Sequence, residues 1–260
     1  MLKVIERKAK SIFTKSRISD YSINQYVGCS HACLYCYAKF ICRWKNYGFW
    51  GSWVEIKNNA PELVKGKLIS GEVFMSSVSD PYQTIEKERM LTRRVLENMN
   101  KNIKLSILTK SDLVLRDVDL FKKFKNVKVG VTINGFEGEV KSFLEPNAPS
   151  HKKRVNALKI LRENSINNYC FVSPIIPNLL NFKDVIEQTK EFCSSYFFEF
   201  INVKLAGNYF LRVLKENYPE SYEIIANNSK FFDFINSARI EIENYTKKNN
   251  VEVRGIILHH

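Results

Sequence analysis

No stretch of this chain approaches the roughly 18 consecutive apolar residues that a membrane-spanning helix requires. Its basic first 17 residues lack the apolar middle region of a secretory signal. No tract rich in Pro, Gly or Ser divides the chain, and no repeat or low-complexity segment interrupts it. These absences argue against a membrane protein and for one cytoplasmic domain over residues 1–260. Cysteine is scarce too. The six residues are too few and too unevenly placed for a secreted disulfide scaffold. Three crowd into eight positions while Cys42, Cys170 and Cys193 are scattered, which reads as one metal site plus ordinary thiols in a reducing compartment. Acidic residues are outnumbered, 27 against 40 Lys and Arg, leaving a net charge of +13. Such a surface attracts polyanions, of which nucleic acid is the commonest large one. A merely solvated, lysine-rich surface is the other reading.

Short β-rich runs alternate with segments of helical character. Residues 21–25, 72–77, 103–108, 127–133, 169–173 and 197–203 read as strands, and residues 85–98, 115–124, 150–162, 182–193 and 209–217 as helices. Strands 25–35 residues apart with helices between them imply parallel βαβ crossovers. Six such units predict an α/β fold, a partial (β/α)6 barrel whose functional residues sit at strand C-termini. Residues 206–260 differ: mostly helical to 248, then a last strand near 251–258. They are expected to cover the open side of a core spanning about 21–205. No metal site is read into His259 and His260.

The segment Gly28-Cys29-Ser30-His31-Ala32-Cys33-Leu34-Tyr35-Cys36 carries the strongest signal. Thiolates are the ligands of iron–sulfur clusters. Three cysteines spaced C-x₃-C-x₂-C leave the fourth iron of a [4Fe–4S] cubane without a ligand from this motif, open to a chelating molecule. Zinc sites favour a second C-x₂-C or His pair, and none follows. Between the ligands, His31 is expected to face solvent or hold a hydrogen bond.

This motif, with aromatic Tyr35 before its third cysteine, resembles that of the radical S-adenosylmethionine superfamily. The resemblance extends to the spore photoproduct lyase-like branch through Asn24-Gln25-Tyr26-Val27-Gly28, Ser76 to Gln83, Leu91-Thr92-Arg93 and Leu108-Thr109-Lys110-Ser111. It continues through Leu115-Arg116-Asp117, Leu144-Glu145-Pro146 and Pro174 to Pro177. It implies a [4Fe–4S] cluster on Cys29, Cys33 and Cys36 and reductive cleavage of S-adenosylmethionine to a 5′-deoxyadenosyl radical. It also implies a reducing partner such as flavodoxin or ferredoxin. Carried over residue by residue, Ser79 would bind the methionyl amine and Lys110 the methionyl carboxylate. Thr132 would bond the ribose or methionyl end, and Tyr35 would lean on the adenine. Asp80 is expected to cap the turn at Pro81, and Glu145 with Arg154 to form a packing or ion-pair device. One position departs from the pattern. The lyase's hydrogen-donating cysteine is replaced by Ser77, whose O–H bond is too strong for that role. Nucleic acid or nucleotide is the favoured substrate; a peptide or metabolite, or a non-catalytic electron-transfer or sensor role, are the alternatives.

Residues 39–53 hold all three tryptophans, Trp44, Trp50 and Trp53, interleaved with Lys39, Arg43 and Lys45. Aromatics beside cations suit unstacked bases and phosphates. Equally, they suit packing of a first helix onto the barrel.

Overall fold

The computed structural model describes residues 2–259. Its strands are β1 (Lys3–Arg7), β2 (Phe13–Lys15), β3 (Tyr21–Ile23), β4 (Tyr26–Val27), β5 (Trp53–Lys57), β6 (Glu72–Met75), β7 (Lys104–Thr109), β8 (Val127–Ile133), β9 (Asn168–Ile175), β10 (Tyr196–Phe200) and β11 (Val253–Ile257). The main sheet runs β11-β10-β9-β8-β7-β6-β3-β2. Every neighbouring pair from β3 to β11 is parallel, and only β2 joins antiparallel, on β3. The sheet does not close, so the fold is a partial barrel. The expected last strand, β11, joins the edge beside β10 and adds a seventh parallel strand to the six.

Alternation along the strands sorts side chains into two sets. On β8, Val127, Val129, Val131 and Ile133 point out to the helical layer, while Lys128 and Thr132 point into the barrel. On β10, Tyr196, Phe198 and Phe200 pack outward, and Phe197 and Glu199 line the interior. Tyr169 of β9 pairs with Gly130 of β8 and reaches across to β7, its phenol 3.4 Å from the Ile107 carbonyl oxygen. Most of the outward residues form one apolar core with helices such as His151–Glu163 and Phe182–Thr189.

The C-terminal residues are not simply a cover. Helix Asn228–Lys248 packs on the outer layer, Phe234 against Phe200 and Tyr245 against Phe182, and delivers the chain to β11. Helices Val203–Asn217 and Pro219–Ala226 instead bury Phe210, Leu214 and Ile225 in a second cluster with Cys33, Tyr35 and Phe136. A further small sheet, β1-β5-β4, lies beside the N-terminal end of the cysteine loop. It has no counterpart in the sequence analysis. The stretch read as a first helix is a 3-10 helix, Tyr37–Arg43, followed by turns into β5.

Candidate cofactor site

Strand β4 ends at Val27, and Gly28, with a φ of +84°, starts the cysteine loop. A Cβ there would lie 2.7 Å from the Trp53 carbonyl oxygen and 2.9 Å from its indole ring. Glycine thus serves both the left-handed backbone and the close approach. Gly51 meets the loop from the same side, where a Cβ would stand 2.4 Å from that of Ala32. Residues 48–53 therefore back the loop directly.

The loop's backbone is held by side chains from elsewhere in the chain. Gln83 accepts from the Ser30 N–H at 2.8 Å and donates to the Gly28 carbonyl at 3.2 Å. Asn147 donates to the Ser30 carbonyl, and the Leu34 N–H donates to that of Leu144. Asp80 accepts from the Tyr82 N–H, the Thr109 hydroxyl (2.6 Å) and the Lys110 N–H (2.8 Å). It thereby caps its own turn and ties the end of β6 to the end of β7. Below it, Glu86 joins the Tyr26 phenol, the Thr92 N–H and Arg116, while Asp117 holds Arg93 and Arg116.

Cys29, Cys33 and Cys36 are free and line one cavity of about 980 Å³ that occupies the barrel interior. Cys42, Cys170 and Cys193 do not line it. Cys170 faces the outer core, and Cys42 lies beside an apolar cluster with Trp53. Burial pushes all three loop thiols up, Cys33 to about 12, so without a metal they are held as thiols at neutral pH. Lys110, Ser79, Thr132 and Tyr35 line the same cavity. The Lys110 ammonium sits 5.6 Å from the centre of the Tyr35 ring. Burial alone would lower its pKa, but the Cys33 sulfur and the Glu145 carboxylate outweigh burial and hold it above its usual value. Ser79 donates to the Gly28 carbonyl at 2.7 Å and accepts from Gln83 at 2.7 Å. The Tyr35 phenol is bonded to Glu145, which also takes Asn134 and Arg154. Burial opposes the Glu145 charge, yet the Arg154 guanidinium holds its carboxyl down to about 2. Both residues are buried, so this pair is a structural strut at the top of the barrel.

His31 does not face solvent. It is buried in the cavity wall 3.5 Å from Asp80, and desolvation keeps its pKa low. Ser77, standing where the lyase pattern has its cysteine, bonds the Asn24 side chain through both its hydroxyl and its backbone N–H. The three tryptophans separate: Trp53 is fully buried, Trp50 lines the cavity with an unpartnered indole N–H, and Trp44 is 72 % exposed. Sequence reasoning missed Glu199. It lines the cavity on β10, accepts from the Ser173 hydroxyl at 2.6 Å and lies 3.1 Å from His259. Its only sequence signal was an acid amid aromatics in a barrel strand. His260 lies outside the described residues. None of the helices described is long and apolar enough to cross a membrane.

An open parallel barrel thus gathers three thiols of one loop and a lysine just past the end of β7 into a single cavity. Residues 23–192 match the Radical SAM superfamily, and the chain belongs to it. It is a radical SAM enzyme, and its cofactors are the superfamily's [4Fe–4S] cluster and S-adenosylmethionine. The chain is 52 % identical to an uncharacterised protein of Methanocaldococcus jannaschii, over 99 % of its own length and 98 % of the relative's. It is 32 % identical to a protein of Acidianus two-tailed virus and 26 % to one of Mycobacterium tuberculosis, spanning 58 % and 53 % of their lengths. Among solved structures it is similar to spore photoproduct lyase complexed with dinucleoside spore photoproduct. There the TM-score is 0.59 at 18 % identity, covering 83 % of this chain and 66 % of the lyase. At that identity the likeness concerns the fold.

Proposed function

We propose that Cys29, Cys33 and Cys36 each ligate one iron of the cluster, and that the barrel presents S-adenosylmethionine and a nucleic acid or nucleotide to one another. The observation that carries the proposal is the shared cavity: three free thiols and an ammonium that, among the described residues, has no hydrogen-bond partner of its own. Among the described residues no three His, Cys, Asp or Glu side chains form a site for a single metal ion. That disfavours zinc and suits ligands that each take a different iron of a larger cluster.

When bound and reduced, the cluster would supply the one electron for reductive cleavage of a carbon–sulfur bond of S-adenosylmethionine, the source of a radical able to remove hydrogen from a substrate. The chain's own residues bind and orient. Lys110 pairs with the methionyl carboxylate, an ion pair strengthened by burial. Ser79 has spent its proton on Gly28 and one lone pair on Gln83, so the remaining lone pair accepts from the methionyl ammonium. Thr132, with its hydroxyl toward the cavity, bonds the ribose or methionyl end. Tyr35, its phenol anchored on Glu145, offers a ring to the adenine. Tyr169, Phe171 and Phe197 line the interior, with Lys128 and Arg254 also at its wall. This lining suits a planar base carrying phosphate. None of Cys42, Cys170 or Cys193 reaches the cavity to replace the donor thiol lost at Ser77, so the radical on the substrate must be resolved by a route other than a fourth cysteine.

Protein purified without oxygen should contain close to four irons and four sulfides and should form 5′-deoxyadenosine on reduction with dithionite. Replacing Cys29, Cys33 or Cys36 with Ala should abolish both, while Cys42→Ala should leave both intact. Loss of iron in the Cys42 variant, with the other three cysteines present, would overturn the assignment.

A further inference from the structure

The cavity has two walls of different character. The ends of β6, β7 and β8 supply Ser79, Lys110 and Thr132, the residues assigned above to S-adenosylmethionine. The other wall is made by three neighbouring strands, β9, β10 and β11, and none of those residues comes from it. Its inward side chains fall into two rows. The first row is aromatic. Phe171 of β9 pairs in register with Phe197 of β10, their ring centres 6.2 Å apart, and Tyr169 meets Phe197 edge to face at 5.3 Å. Gly255 of β11 pairs with Phe197 and leaves room for the ring, since a Cβ there would stand 3.3 Å from it.

Two residues further along β9 and β10, a step of about 7 Å, the row is polar. The Glu199 carboxylate accepts from the Ser173 hydroxyl at 2.6 Å on one oxygen, and His259 Nε2 lies 3.1 Å from the other. Facing a carboxylate, that nitrogen is the donor. Among the described residues no Lys or Arg pairs with Glu199, and 22 % of its side chain stays accessible. Burial, and behind it the Glu199 charge, push the Cys36 thiol and the Tyr37 phenol up, so the carboxylate stands at the cysteine end of the cavity. Its place in the chain is a second observation. The stretch matched to the superfamily, residues 23–192, holds the cysteines and the cofactor wall and stops before β10. Phe197, Glu199 and His259 lie beyond it.

We propose that the β9–β11 wall is the substrate subsite and that Glu199 selects guanine there. The proposal rests on the nucleic-acid or nucleotide reading above. A planar base lies on the Phe171–Phe197 shelf with its edge toward Glu199. A carboxylate only accepts, and it has about four lone-pair sites. Ser173 and His259 use one on each oxygen, which leaves one on each, side by side. Guanine carries two adjacent donors, N1–H and N2–H, that fill such a pair. Adenine and cytosine offer one amino group beside an acceptor nitrogen. Thymine and uracil flank a single N–H with two carbonyl oxygens, which the carboxylate repels. An acceptor desolvated without its donor is costly, so the site rejects the wrong base as well as holding the right one.

The test uses the full chain with its cluster and a set of thymidine pentanucleotides whose central base is guanine, hypoxanthine, adenine, cytosine or thymine. Fluorescence anisotropy of an end label reads each affinity at low salt. Hypoxanthine is guanine without its 2-amino group, so that arm removes one donor from the ligand and leaves the protein untouched. The guanine oligomer should bind the parent about tenfold or more tightly than the thymine and hypoxanthine ones. In Glu199→Gln, where one acceptor becomes a donor, guanine should lose this advantage. Affinity for the all-thymine oligomer, iron content and melting temperature should stay at parent values. The proposal is overturned if another base binds the parent tightest, if hypoxanthine binds as guanine does, or if folded Glu199→Gln keeps the guanine preference. Should the variant not fold, the hypoxanthine arm decides alone. Binding without base preference removes the role of Glu199 and leaves the nucleic-acid reading standing. Failure of folded, cluster-loaded parent to bind any of the oligomers overturns that reading, and the guanine assignment with it.

Discussion

Lys110 shows how a site residue is made from its surroundings. Its backbone N–H is fixed by Asp80 at 2.8 Å, which sets the direction in which the side chain leaves β7. Its ammonium is then kept charged by the Glu145 carboxylate in spite of burial. If it pairs with the methionyl carboxylate, Lys110→Ala should weaken S-adenosylmethionine binding by about 1.5–3 kcal/mol, the worth of a hydrogen bond to a charged group. Iron content should not change. Equilibrium dialysis against labelled S-adenosylmethionine reads the affinity directly, and an unaltered value would take Lys110 out of the site. Asp80, Gln83, Glu86 and Glu145 act differently. They are buried and satisfied by neighbours, and their work is to hold the cysteine loop and the strand ends in register.

At the scale of elements, the turn region between the 3-10 helix and β5 has two faces with separate duties. Trp53 is fully buried against Gly28 and makes an edge contact with Tyr47 at 5.2 Å. Trp53→Ala should therefore lower stability by about 3–5 kcal/mol, the usual cost of deleting a large buried aromatic. Trp44→Ala should stay within about 0.5 kcal/mol, as exposed substitutions generally do. Denaturant midpoints of the two variants, measured side by side, check the contrast; equal losses would mean that the Trp44 ring is packed too. The same two-faced logic governs the strands. β10 builds the helical layer with Tyr196, Phe198 and Phe200 and the cavity with Phe197 and Glu199.

For the whole molecule the dominant quantity is the net charge of +13. The cavity itself carries both signs, Arg17, Lys110, Lys128 and Arg254 with Glu72, Asp80 and Glu199, so an anionic partner would be drawn by the overall charge. Single-stranded DNA or RNA should bind at low salt, with the logarithm of the affinity falling linearly against the logarithm of salt concentration as counterions are released. A filter-binding series across salt concentrations measures that slope. Absence of binding by folded, cluster-loaded protein would shift the substrate to a peptide or metabolite and leave the cofactor chemistry untouched.

The cysteine spacing, the alternation of strands with helices and the basic charge are properties of neighbours along the chain, and each could be read there. Together with the family resemblance of the motif and the segments after it, they were enough for the superfamily, the partial barrel and the cofactors. The tertiary structure decided what depends on contacts between distant positions. Trp44, Trp50 and Trp53 are the same residue type within ten positions, yet one is in solvent, one in the cavity and one in the core, because Gly28 and Gly51 draw this segment onto the cysteine loop. β11 became a barrel strand because β10 offered an unpaired parallel edge, which no local pattern announces. Glu199 entered the cavity by pointing inward from β10, and Asp80 became a tie between strands because Thr109 and Lys110 end beside it. Local pattern can name a residue's chemistry and the face its period assigns it. Only the packing of segments tens of residues apart determines which atoms that chemistry meets.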